Sequence, residues 1–176
     1  MKRILVCAVV MLAAVGAFAA TTATHQINLN VVAICAIELD PDSLAFTLSP
    51  QASTAGDPPG DGTNTTKHLF YTVVRTGINS SKITVAWGGT DVAPDGCDLT
   101  VQAANMGSFG TSAGLITFID NNSTAQDFIT NIPSCYTTRV ANAGPRLDYT
   151  LDVTDATLLT VGDNHTVTIL YTISAT

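Results

Sequence analysis

Ser112 stands in Gly110-Thr111-Ser112-Ala113-Gly114, the Gly-x-Ser-x-Gly spacing of a nucleophile elbow, and Asp163 and His165 follow it in the chain order such a triad uses. That chemistry needs a strained strand-to-helix turn that lifts the serine hydroxyl out of a sheet. Here an alternating segment, Leu115 to Ile119, follows instead, and Asp163 and His165 fall in a turn. The pattern is better read as a small-residue loop. Asp57, Asp61 and Asn64 place oxygens in one glycine-rich loop, and Asp95 with Asp98 makes a second such group. Ca²⁺ takes oxygen ligands of this kind, but neither group has the spacing of a calcium loop, so solvated acidic loops are expected. His25, His68 and His165 are scattered, and none pairs with a cysteine at zinc-ligand spacing. There is no phosphate-cradling glycine loop and no pair of carboxylates in a plausible cleft. The expectation is a non-catalytic protein with no cofactor and no metal.

Two further groups invite a chemical role. Cys35, Cys97 and Cys135 remain once the leader described below is removed. Cys97 precedes an alternating segment and Cys135 lies in the loop-like Ile132-Pro133-Ser134-Cys135, so a Cys97–Cys135 disulfide is expected. It would contribute about 3–4 kcal/mol if unstrained. Three free thiols, or Cys35 as one partner, are the alternatives. Trp87 and Tyr136 are candidate stacking platforms for a carbohydrate, although Trp87 shares the parity of Ile83 and Val85 and so also suits a core. Asn64, Asn79, Asn121, Asn122 and Asn164 each begin an Asn-x-Ser/Thr sequon in turn-like surroundings.

Period-2 alternation dominates the elements that would position these residues. Leu147, Tyr149, Leu151 and Val153 alternate with polar residues, as do Val167, Ile169, Tyr171 and Ile173. Alternation turns one face of each segment to a core and the other to water. The two read as neighbouring antiparallel strands, a hairpin with a long connection through Val161-Gly162-Asp163-Asn164 being one form of that pairing. Ile27, Leu29, Val31, Ala33, Cys35 and Ile37 predict a long first strand, and Leu44, Phe46 and Leu48 a short second one. Ser49 to Thr66 reads as loop. Strands are expected around Leu69–Val73, Ile83–Trp87, Leu99–Ala103 and Leu115–Ile119, with 125–132 ambiguous between strand and helical turn. Eight or nine short strands divided by Gly, Pro, Asn and Asp predict an all-β, antiparallel β-sandwich.

The first 20 residues are expected to lie outside that fold. Lys2 and Arg3, the apolar run Ile4 to Val15, and Ala17-Phe18-Ala19 have the order of a cleaved secretory signal peptide. Residues 21–176 then form one domain, placed in the periplasm, at the cell surface or outside the cell. Five basic residues oppose 14 carboxylates after residue 20, a net charge of −9. No cationic stripe exists to neutralise phosphates, which argues against nucleic acid, and no later segment is long and apolar enough to insert in a membrane.

The strand Val31-Val32-Ala33-Ile34-Cys35, the Leu44-Ala45-Phe46 segment and the terminal Gly162 with Thr166 to Thr172 resemble exported bacterial fimbrial and pilin-like sandwiches of the chaperone–usher and spore-coat-U type. Ala175 stands where such pilins often carry a penultimate aromatic. The resemblance implies an Ig-like or pilin-like fold and a structural or adhesive surface protein, with copies of itself or related subunits as partners. It implies assembly by β-strand addition, in which Thr22 to Val32 is the donor and Ile27, Leu29 and Val31 enter successive pockets. The plainer reading is that this segment is the first strand of its own domain. A monomeric extracytoplasmic module for a carbohydrate or protein ligand is the alternative function.

Overall fold

The computed structural model describes residues 26–39, 47–75, 80–118, 124–162 and 164–175. The expected signal peptide, His25 and the sequons at Asn79, Asn121 and Asn122 lie outside them, as do Leu44, Phe46 and Asp163. The chain divides into an N-terminal unit, Met1–Asn30, and a body, Val31–Thr176. In the first unit residues 26–30 carry no regular structure, and Ile27 and Leu29 are exposed.

The body is all-β among the described residues, apart from one 3₁₀ turn at Ala156–Leu158. Its strands are β1 (Ile34–Leu39), β2 (Gly62–Val74), β3 (Ser81–Trp87), β4 (Cys97–Ala104), β5 (Thr111–Ser112), β6 (Leu115–Phe118), β7 (Gln126–Ile132), β8 (Cys135–Tyr136), β9 (Arg146–Val153) and β10 (Ile169–Ala175). One sheet runs β1-β2-β9-β4-β6, with β8 also on β2; the other runs β10-β3-β7-β5. Each pairing is antiparallel. Alternate residues of both sheets meet in one apolar core, which includes Leu69, Val73, Val101, Leu147 and Tyr149 from the first and Ile83, Val85, Phe128 and Ile129 from the second. Two antiparallel sheets on a shared core have the layered build of a β-sandwich.

The alternation that predicted β3, β4, β6 and β9 is the burial pattern observed: in β9, Leu147, Tyr149 and Leu151 are buried while Arg146, Asp148 and Thr150 are not. The ambiguous 125–132 segment is strand β7. Its Phe128, Ile129 and Ile132 are buried, and the register shifts where β7 meets β3 carry it out of simple alternation.

Three expectations are corrected. The long first strand is short, because β2 offers β1 only Leu69 to Val74 as partners and residues 31–33 find no neighbouring ladder. The supposed loop up to Thr66 ends at Gly62, where β2 begins; Gly62 to Asn64 pair with β9 despite a composition that rarely makes strands. A bulge between Asn64 and Lys67 then resets the register. Finally, the last two strands are not neighbours. β9 lies between β2 and β4, while β10 pairs with β3 in the other sheet. The connection after Val153 folds over Gly96, whose carbonyl accepts from the Thr154 and Asp155 backbone N–H groups, and the chain changes sheets. Hydroxyls of Tyr149 and Tyr171 share a 2.6 Å hydrogen bond between β9 and β10. Burial dominates there, pushing Tyr149 up to about 12 and Tyr171 well above its ordinary value.

Candidate functional site

One flank of the body is open. β1 ends the first sheet and β10 ends the second, and the two run near each other without a ladder between them. Their inward residues have the parity of core positions but not the burial. Ile37 and Leu39 on β1, Val167 just ahead of β10, and Ile169, Tyr171 and Ile173 on β10 pack against the core while staying partly exposed. Interior strands at the same parity give 0% for Ile83, Val85 and Val101. A groove of about 230 Å³ lies between the two edges, lined by Ile37, Leu39, Leu69, Ile169, Leu170 and Tyr171 among others. Leu170 contributes an exposed apolar side chain. Among the described residues the flank therefore combines unpaired strand edges with apolar surface, which is what an added strand recognises.

The start of β10 is held by Asp91. Its carboxylate accepts from the Thr166 backbone N–H at 2.6 Å and from the Val92 N–H at 3.1 Å, and its Oδ1 lies 3.1 Å from His165 Nδ1. The Thr166 bond leads in holding the Asp91 carboxyl below the usual carboxylate range.

Residues 31–33, which lead into β1, carry no strand, and Val31, Val32 and Ile34 are exposed. Together with the exposed Ile27 and Leu29, an apolar-alternating stretch stands outside any sheet. These are the three donor candidates, Ile27, Leu29 and Val31. Sequence reasoning named them but did not reach the groove, because the incomplete burial of β1 and β10 depends on which strands become edges.

The remaining candidates are dispersed. Trp87 is 2% exposed, packs edge-on to Phe118 with centroids 5.7 Å apart, and donates its indole N–H to the Asp91 carbonyl at 2.8 Å. It is a core residue and offers no stacking face to a ligand. Tyr136 is 69% exposed on β8 and keeps that possibility.

The expected Cys97–Cys135 disulfide is absent: Cys35, Cys97 and Cys135 are all free thiols. Cys97 faces Val153, beyond the Leu151 and Gly62 pair, whereas Cys135 faces Val73 near the far end of β2. At strand rise this separates them by more than roughly 30 Å, against the ~7 Å Cα limit for a disulfide. Cys35 and Cys135 face Val73 from its two sides. Two strand spacings, about 10 Å, also exceed that limit. Burial raises the Cys97 thiol, with nearby Asp98, Asp152 and Asp61 adding to it, and burial raises Cys135. Both therefore favour the unreactive protonated form.

Ser112 lies on β5 with strand β6 following, and its Oγ accepts from the Gly114 N–H at 3.3 Å. His165 belongs to the approach to β10, at the opposite edge of the same sheet. Asp61, Asp98 and Asp152 gather near Cys97. Burial and then the neighbouring Asp61 raise Asp152, while Asp61 also accepts from the Val153 N–H at 2.9 Å. Asp57 and Asp95 do not join them in a metal-holding group, and none of three or more His, Cys, Asp or Glu occurs among the described residues. Asn64 turns its Oδ1 to the Thr66 N–H and hydroxyl, and Asn164 donates to the Gly162 carbonyl.

No protein-family model matches this chain, and neither a curated protein nor a solved structure is similar enough to it to count as a match.

Proposed function

We propose that this chain is a non-catalytic, exported structural or adhesive surface protein of Ig-like, pilin-like build, whose copies assemble into a fibre by β-strand addition. The segment around Ile27, Leu29 and Val31 of one copy is the donor. The groove between β1 and β10 of the next is the acceptor. The single observation carrying this reading is the mismatch at that flank: Ile37, Leu39, Ile169 and Tyr171 have core parity yet remain partly exposed beside two unpaired edges. An inserted strand satisfies both backbones and covers those side chains in one step. Three alternating apolar side chains in a donor span about 13 Å, a length suited to the short edges. A strand hydrogen-bonded to both neighbours holds them about 10 Å apart, so insertion parts β1 from β10.

Light scattering on the purified protein, beside Leu29→Asp and a version lacking residues 21–32, tests this. The expected result is concentration-dependent polymer from the parent and monomer from both variants, each still melting cooperatively. A stable parent monomer that unfolds on truncation would overturn it, since the segment would then belong to its own domain.

A further inference from the structure

A second concavity lies on the outer face of the first sheet, over β1, β2 and β8, with a volume of about 520 Å³. Phe70 forms its floor. It alternates with the inward Leu69 and Tyr71, lies outside the core cluster, and is nevertheless only 6% exposed. Thr72 has Ala36 as its partner on β1 and Tyr136 as its partner on β8. Arg139 reaches from beyond β8 to Glu38 on β1, with Nη2 2.6 Å from Oε1, so the ion pair spans β2. Tyr136 stands exposed at the rim, and Thr138 lines the same trough.

This site differs in kind from the open flank. Thr72 and Val73 are paired on both sides, by β1 and by β8, so β2 offers no free backbone at the floor of the trough and a strand cannot be added to it there. Recognition must come from side chains. Those present are two aromatic rings, two threonine hydroxyls, and a carboxylate and guanidinium whose charges cancel. Apolar floor with a few convergent polar groups is the usual build of a small-ligand site, and this volume is of that class. The polar set both donates and accepts, while the pair carries no net charge to attract an ion. A ligand that matches it has apolar C–H faces and a row of neutral hydroxyls. We propose that this trough binds a neutral saccharide, with a sugar face on Tyr136 and hydroxyls on Glu38 and Arg139. The proposal does not depend on fibre assembly.

Titration of the ¹⁵N-labelled protein with lactose, cellobiose, maltose and N-acetylglucosamine, followed by amide chemical shifts, tests it. At least one sugar is expected to move amides clustered around residues 36–38, 70–72 and 136–139. Tyr136→Ala should weaken that binding roughly tenfold, and Tyr136→Phe should keep it, because the ring rather than the hydroxyl carries the stacking. Tyr136 is exposed, and unchanged shifts elsewhere in the spectrum certify that the variant is folded. No shift with any of the four sugars overturns the proposal, as does a response that Tyr136→Ala leaves intact. Binding of a proline-rich peptide at these amides in place of the sugars also overturns it and makes the trough a protein-docking site.

Discussion

On one flank the chain itself joins the two sheets: β5 ends in the four-stranded sheet at Ser112, and Leu115 begins β6 at the edge of the other. On the opposite flank β1 and β10 end their sheets near each other, and no segment passes between them among the described residues. The packing follows. Ile116 and Phe118, on edge strand β6, are 7% and 3% exposed. Ile37, Leu39 and Ile169, on edge strands too, stay half-buried. Being an edge strand therefore does not by itself open the core. What matters is whether a covalent crossover draws the two sheet edges together. The closed flank is a finished piece of core, whereas at the other the core side chains stay partly in water.

The largest effect that tests this contrast is a paired truncation. Phe118→Ala removes a buried ring that packs on Trp87 and should cost about 3–5 kcal/mol in denaturant unfolding. Ile169→Ala, at matching parity on the open flank, should cost only about 1–2 kcal/mol, since its side chain is already partly in water. Equal losses would erase the distinction between the flanks.

The docking of β5, the strand that leads into the crossover, is next. Gly110 has φ +128, and a Cβ there would sit 2.8 Å from the Thr130 carbonyl oxygen and 3.0 Å from Ile129 Cγ2. Gly110→Ala should therefore cost about 1–3 kcal/mol. Thermal melting would show it, and an unchanged midpoint would mean that the close seating of β5 on β7 contributes nothing to closing its flank.

The smallest effect concerns Asp91 at the open flank. Its carboxyl titrates below its ordinary value, so its ionised form stabilises the fold above the ordinary aspartate range, and that contribution is lost as pH falls through the depressed value. Asp91→Asn should lower the melting midpoint modestly near neutral pH, with the difference closing in acid. A difference that stayed constant with pH would show that the charge plays no part in holding β10.

Sequence patterning made β3, β4 and β9 legible because each buries one face, and burial of one face is what alternation encodes. It also placed Trp87 at core parity, though an aromatic beside turn residues equally invited a ligand role. What it could not reach were partners. Gly62-Thr63-Asn64 reads as loop in isolation and becomes strand because β9 supplies its ladder. Tyr149 and Tyr171 alternate alike, yet they stand in different sheets. Cys97 and Cys135 both sit beside turn-like residues, which says nothing of the length of β2 between their positions. The candidate donor residues are visible as an alternating stretch, whereas the groove is a property of two strands far apart in the chain. The trough was half visible: Tyr136 could be named, but Glu38 and Arg139 meet only through the fold.

The ladder between β2 and β9 has a consequence for timing. It joins Gly62 to Leu151 and His68 to Arg146, residues nearly 80 to 90 positions apart. Contacts of that separation pay a large loop-closure entropy before any reward arrives, and chains dominated by them fold slowly. A ribosome that has released only the first hundred residues has delivered β1, β2 and β3 without the strand that holds the first sheet together. The centre of that sheet closes only after residue 151 has emerged, so the first sheet is completed late in the order in which its strands appear.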